Sequence, residues 1–435
     1  MAASEVAIIG AGWAGLAAAV EAVRAGHRVT LFEAARTLGG RARTMEATWP
    51  DGTRLPLDNG QHILIGAYRQ TLALMETVGV DPRAVLHAQP LDLRDEGDVG
   101  LRLPAWRAPL DAAWGIATAR GWRWRDRRAL LHAALGWQRS GFRCGAHESV
   151  ASLCARLPQA VVDGLIEPLC VSALNTPPAM ASGQVFLRVL RDALLGPGWR
   201  DWGASWLLLP RAPLGALLPN AAGRWLTAHG ATLRIGHRVA LLARTAQGWQ
   251  VDGDPFDAVV LACPSWDAIR LIQDNAVAAP TWLLQAHTLR HEAITTVYAT
   301  STLRLPRPMM ALRASAQAPA QFVFDRGQLG GPPGLLAFVV SASRGDRDQI
   351  EQQVIAQAHG LGWDDVQPLQ TVTERRATFA CTPGLERPGP QVADHLWACG
   401  DWVAGPYPAT LEGAVLSGRR AAAALGLTSG RAGTA

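Results

Sequence analysis

There is no lysine in this 435-residue sequence; all 41 of its basic residues are arginine, so no lysine amine is available for chemistry. Cysteine is scarce as well. Six residues lie scattered at 144, 154, 170, 263, 381 and 399, without a C-x-x-C pair or a cluster at metal-ligand spacing. Neither a zinc site nor a disulfide framework is expected, and buried free thiols in a reducing compartment account for the scatter. No apolar run reaches the length that a membrane span needs, so no transmembrane helix is expected. The N-terminus lacks the basic flank of a signal peptide, which makes a cytoplasmic protein the expectation. Charge is sparse too, at 18% of residues against 49% apolar. That balance excludes a disordered or solvating chain, and the length allows two or three domains with cores of their own.

What is present begins with glycine. Val6–Ile9 is an apolar run that breaks into Gly10-Ala11-Gly12-Trp13-Ala14-Gly15 and then into an alanine-rich helical pattern from Leu16 to Arg24. The G-x-G-x-x-G spacing suits a dinucleotide. Its first glycine permits a tight turn, its second lets backbone approach a pyrophosphate, and its third lets helix pack on strand. The helix N-terminus adds free N–H groups and the positive end of its dipole. Val29–Phe32 reads as the second strand. Glu33 ends it, about 20 residues beyond the loop, where a carboxylate holds a ribose hydroxyl pair. Gly39-Gly40-Arg41-Ala42-Arg43 follows, with backbone able to approach a diphosphate and guanidiniums to neutralise it. The second strong signal lies at the far end. A short strand at Leu396–Ala398 leads to Gly400-Asp401, then to Gly405–Ala414 and an alanine-rich helix. The Asp401 carboxylate accepts hydrogen bonds from hydroxyls, and the helix N-terminus is a second dipole end.

Between these ends, Leu57–Tyr68 alternates apolar residues around Gln61 and His62, which predicts a strand with a turn at Gly66. His62 is a candidate general acid. The stretch 101–144 changes character. It holds tryptophans at 106, 114, 122, 124 and 137 and nine arginines against two acids, Asp111 and Asp126. Indoles and guanidiniums on helical apolar stretches favour the headgroup level of an anionic bilayer, and no nucleic-acid partner is expected. A long helical stretch is predicted to run from Ile166 to Leu195. Strand-like runs follow at Thr232–Ile235, His237–Leu242, Gly248–Val251, Phe256–Ala262, Ala293–Ala299, Gln321–Phe324 and Leu335–Ser341, with a helix near Gln349–His359.

The glycine fingerprint, Glu33 and the G-G-R-x-R run together resemble the FAD-binding start of flavin amine oxidases and carotenoid desaturases. Three blocks resemble the hydroxysqualene dehydroxylase family more closely: Asp58-Asn59-Gly60-Gln61-His62, Leu174-Asn175-Thr176-Pro177 and Gly405–Gly413. The resemblance implies an α/β protein, with a Rossmann-like FAD-binding domain of glutathione-reductase type interleaved with an α+β substrate domain. Residues 1–70, 220–270 and 385–435 would form the first and 71–219 and 271–384 the second, with 101–144 docking on a membrane. Implied FAD contacts are Gly10, Gly12, Trp13, Ala14, Gly15, Glu33, Gly39, Gly40, Arg41, Arg43, Asn59, Gly60, Gln61 and His62. The backbone of Val239 (against the adenine), Ala262, Gly400, Asp401, Pro408, Ala409 and Thr410 complete the set.

The implied reaction passes a hydride from reduced FAD to an allylic carbon of hydroxysqualene as water leaves, giving squalene. It requires an apolar tunnel, an external electron donor and an acid, for which His62 ranks first and Tyr407 and Glu412 next. The protein would then work peripherally on the inner face of the cytoplasmic membrane. Polyene desaturation would pass hydride the other way, and amine oxidases of this fold generally place near the flavin a lysine that this chain lacks. Rab escort and GDP-dissociation-inhibitor proteins share the fold and bind prenylated partners without flavin. The intact fingerprint, Glu33 and Asp401 argue against that non-enzyme reading. Oligomeric state is not legible.

Overall fold

Val6, Ala7 and Ile8 are wholly buried, as a central parallel strand covered on both faces must be. The computed structural model describes residues 3–428. Residues 429–435 of the expected cofactor segment lie outside that range. The Glu5–Ile9 strand is at the heart of a six-stranded sheet ordered Gln391–Ala393, Leu396–Ala398, Ala258–Leu261, Glu5–Ile9, Arg28–Glu33, Thr232–Ile235. Five of these strands run parallel, and only the Gln391–Ala393 edge is antiparallel. The sheet thus gathers strands from the start, middle and end of the chain. The Trp13–Arg24 helix packs on it almost wholly buried, its alanines allowing close approach. Leu411–Thr428 crosses that helix so closely that a Cβ on Gly418 would stand 2.1 Å from the Ala14 carbonyl oxygen.

A second, antiparallel sheet is ordered Met309–Ala311, Phe322–Asp325, Leu335–Ser341, His291–Thr300, Gln367–Phe379. Its two faces follow the period of two that strand geometry imposes. Val323, Phe338 and Val340 pack with Ile350 and Val354 of the Arg347–Gly360 helix. Phe322, Phe324 and Val339 face the opposite way, into a cavity. Helices Leu110–Thr118, Trp124–Arg139, Glu167–Leu174 and Gly183–Leu195 enclose that cavity from the other side.

Three expected elements differ. The helical stretch up to Leu195 is broken. A π turn at Val162–Ile166 passes into Glu167–Leu174, which ends where Asn175 adopts φ +47°. Pro177 and Pro178 forbid continuation, and the helix restarts at Gly183 with the Ser182 hydroxyl accepting from Val185 N. His237–Leu241 is irregular because the Asp252 carboxylate takes the Ala240 and Leu241 N–H groups that a strand would have paired. The strand expected across Leu57–Ile65 stops at Asp58, and residues 59–63 form a loop whose backbone and side chains serve the site. Among the described residues no helix is long and apolar enough to cross a membrane.

Candidate active site

The glycine loop leaves the C-terminal end of the first strand, where α/β sheets bind ligands. Gly10 adopts φ +112° and a Cβ there would meet Ala262 O at 2.7 Å; one on Gly15 would stand 1.9 Å from Gly10 O. Gly12 differs from both. It caps the Trp13–Arg24 helix in extended conformation, and a Cβ on it would meet nothing within 4 Å. Its free face opens into the cavity. Glu33 ends the second strand and accepts from Ala11 N at 2.7 Å and Ala35 N at 2.8 Å, which fixes its carboxylate beside the loop.

The arginine-bearing loop is tied down residue by residue. The Trp13 indole donates to Ala42 O at 2.9 Å. Asn59 Oδ1 accepts from Arg43 N at 2.9 Å and its Nδ2 donates to Arg41 O at 3.1 Å. Asn59 therefore spends its amide on the backbone of this loop. Arg43 donates to the Gly40 carbonyl. Arg41 donates to Ala377 O at 2.8 Å and pairs with Asp401, joining the two ends of the chain.

One cavity of about 770 Å3 runs past most of these residues. Of the expected contacts, Gly10, Gly12, Trp13, Ala14, Glu33, Gly39, Gly40, Arg41, Arg43 and Asn59–His62 line it. So do Val239, Ala262, Gly400, Asp401 and Pro408–Thr410; Gly15 alone is packed behind the loop. The same cavity continues into an apolar arm walled by Leu103, Ile116, Leu130, Phe186, Phe322 and Phe324, among others.

The three candidate acids are placed differently. His62 Nδ1 lies 2.9 Å from Gly60 O. A carbonyl only accepts, so the proton is on Nδ1 and Nε2 is an acceptor. Burial, reinforced by the Arg41 charge, holds its pKa below the usual histidine value. A neutral ring so oriented suits holding a donor better than delivering a proton. Glu412 is buried and accepts from Gln70 N at 2.9 Å, Thr71 N at 2.9 Å and Thr71 Oγ1 at 2.7 Å. It caps the Arg69–Thr77 helix, which lacks a side-chain cap of its own, from across the fold. Burial nevertheless pushes its pKa up.

Tyr407 donates to Asp192 Oδ2 at 2.8 Å, and Arg188 Nε reaches that same oxygen at 2.8 Å. The Arg188 guanidinium also lies 5.5 Å from the centre of the Tyr407 ring. Burial and Asp192 raise the Tyr407 pKa to about 12. Asp192 lines the cavity and sequence reasoning passed over it, because an arginine four residues before an aspartate on a helix reads as a surface pair. Tyr68 was missed likewise; it lines the cavity beside Thr410 and Glu412, and burial raises its pKa. Asn175 turns out to be a helix cap, accepting from Ala342 N at 2.6 Å and donating to Thr378 Oγ1 at 2.9 Å.

The chamber around Gly12 fits a bound dinucleotide. A helix N-terminus, an open glycine face and two arginines stand at one place, and Gln61 keeps a buried Oε1 without a partner at the cavity wall. Fold and site together define a flavoprotein whose nucleotide chamber is assembled from both ends of the chain. The chain belongs to the flavin containing amine oxidoreductase family, whose profile matches residues 13–426, and it is an FAD-dependent oxidoreductase. It is 30% identical to a hydroxysqualene dehydroxylase of Rhodopseudomonas palustris, over 98% of this chain and 99% of that one. Identity to a hydroxysqualene dehydroxylase of Sinorhizobium fredii is 29%, over 96% and 97% of the two chains. Among solved structures, an oxidoreductase from Methanosarcina mazei superposes with a TM-score of 0.72 at 16% identity, covering 96% of this chain and 99% of that one.

Proposed function

We propose that this enzyme reduces the allylic alcohol hydroxysqualene to squalene. The observation that carries the reading is one cavity lined both by the Gly12 loop and by an apolar wall of leucine, isoleucine and phenylalanine. Two full-length relatives named for that reaction support it. In the proposed reaction the carbon–oxygen bond breaks with both electrons going to oxygen, which takes a proton and leaves as water. Bound reduced FAD supplies the hydride that replaces it, and an external two-electron donor restores the cofactor at each turnover.

The chain's own residues do the rest. Leucine, isoleucine and phenylalanine walls keep bulk water from an allylic cation. Gly10, Gly12, Gly39 and Gly40 offer backbone to the diphosphate, Arg41 and Arg43 neutralise it, and Glu33 takes the ribose. Gly60, Gln61, His62, Val239, Ala262, Gly400, Asp401 and Pro408–Thr410 complete the cofactor's contacts. Tyr407 donates its proton to the leaving oxygen. Arg188 beside its ring steadies the charge left behind, Asp192 orients the hydroxyl, and solvent, which reaches this partly open pair, returns the proton. Such a substrate is nearly insoluble in water, so the enzyme would work peripherally on the inner face of the cytoplasmic membrane, in contact with anionic lipid.

The test is an anaerobic product assay. Photoreduced enzyme should convert hydroxysqualene to squalene by mass spectrometry. New conjugation formed from phytoene by oxidised enzyme, with no squalene, would instead assign a desaturase.

A further inference from the structure

Helices Leu110–Thr118 and Trp124–Arg139 carry large apolar side chains on their outer as well as their inner sides. Their inner sides supply Ile116, Leu130 and Ala134 to the cavity wall. An ordinary surface helix is polar on its other side. Here that side carries Leu110 and Trp124, 67% and 70% exposed, together with Trp114 and Leu135, and the preceding loop adds Trp106. Five of the ten large apolar side chains exposed among the described residues fall within this one stretch, whereas the other five sit on separate elements. Two of them adjoin, the Trp106 and Trp114 rings being 5.2 Å apart, and Arg128 lies 5.2 Å from the Trp124 ring.

The charge on this surface has one sign. Both acids of the stretch are buried, Asp111 at 3% and Asp126 at 5% exposure, where they accept from Ala112 N and Arg123 N. Of its nine arginines, only Arg120 and Arg125 meet a carboxylate among the described residues. The outward charge is therefore cationic, on a surface studded with indoles.

We infer that this outer face is the docking surface for an anionic lipid bilayer, and that substrate passes from the bilayer between these two helices into the apolar arm. The inference rests on the lipophilic substrate proposed above. Indoles settle at the bilayer interface and guanidiniums at the phosphate level, which matches this mixture. A second copy of the same face would oppose arginine to arginine, so self-association is disfavoured here.

Vesicle sedimentation with intact flavin-loaded protein tests this. Wild type should bind phosphatidylglycerol-containing vesicles, bind pure phosphatidylcholine weakly, and dissociate in high salt. Replacing Arg107, Arg123, Arg128 and Arg139 with Gln should weaken anionic binding on the order of 100-fold. A triple variant, Trp106→Ala with Trp114→Ala and Trp124→Ala, should lower it about tenfold or more. Both variants should keep wild-type melting temperature, flavin content and turnover of detergent-dispersed substrate, while losing turnover of vesicle-borne substrate. Wild-type protein that ignores anionic vesicles, variants that bind as well as wild type, or burial of this face in a concentration-dependent dimer would overturn the inference. Failure of the reaction itself would show separately, as absence of squalene from detergent-dispersed substrate.

Discussion

The Tyr407 hydroxyl and the Asp192 carboxylate are 2.8 Å apart, although 215 positions separate them in the chain. One stands just before the last helix, the other near the end of Gly183–Leu195, so the pair ties the C-terminal wall of the chamber to the apolar arm. If this pair handles the leaving group, Tyr407→Phe should lower turnover by about 100-fold or more, with bound flavin unchanged. Asp192→Asn should lower kcat with bound flavin unchanged, because the Tyr407 hydroxyl loses the charged acceptor that orients it. With a Tyr407 pKa of about 12, the hydroxyl keeps its proton across the neutral range, so wild-type turnover should not fall with tyrosine ionisation up to pH ~9. Full activity in Tyr407→Phe would remove it from the chemistry.

Two neighbouring glycines should behave oppositely. Gly12 has an ordinary extended backbone and open space ahead of it, so Gly12→Val should leave the fold intact and put its side chain into the space proposed for the diphosphate. Purified protein should melt as wild type once cofactor is removed from both, yet hold little flavin. Gly15→Ala instead forces a methyl against Gly10 O, 1.9 Å away, and should cost about 1–3 kcal/mol of stability or more. A yellow Gly12→Val protein would refute the placement of the cofactor.

Glu412 offers a direct choice between clamp and acid. A clamp predicts that Glu412→Ala loses about 1–3 kcal/mol, because two backbone donors and the Thr71 hydroxyl lose their acceptor in a buried place. Glu412→Gln keeps an acceptor oxygen and should retain most turnover. Loss of turnover in a stably folded Glu412→Gln would return the residue to the list of acids.

Asp58 should make stability fall as pH rises. Burial raises its pKa to about 6, although Leu214 N–H, the Arg326 charge and Thr44 work against the shift. With the folded value above the unfolded one, the protonated form is favoured by folding. Its contribution is full below pH ~4 and lost as pH climbs through ~6. Asp58→Asn does not ionise and still accepts from Leu214 N, so it should be more stable than wild type at pH 8, by about 1–3 kcal/mol, and show little gain at pH ~4. Melting curves at the two pH values decide this; equal differences at both would contradict it.

Much of the fold was legible because its signals are local. An alanine-rich helix after a glycine loop, Leu335–Ser341 as a buried strand and the helix near Gln349–His359 all follow from periodicity and turn chemistry. The glycine loop was legible because backbone geometry restricts residue type there, as at Gly10 and Gly15. The site was less so where a side chain's partner lies far along the chain. Asn59 was expected at the cofactor and lines the cavity, but that its amide braces the backbone at Arg41 and Arg43 was not legible. Asp192 carries no local signal, because the partner that gives it a place in the site, Tyr407, lies 215 positions away. The break at Asn175 depends on tertiary donors and acceptors, Ala342 and Thr378, that no local window contains.

The most direct measurement follows the flavin itself. Enzyme reduced anaerobically and mixed with hydroxysqualene should regain the absorbance of oxidised flavin in a single turnover, with one squalene formed per flavin. Flavin that stays reduced in the presence of hydroxysqualene, while oxidised enzyme is bleached by phytoene, would contradict the proposed direction of hydride transfer.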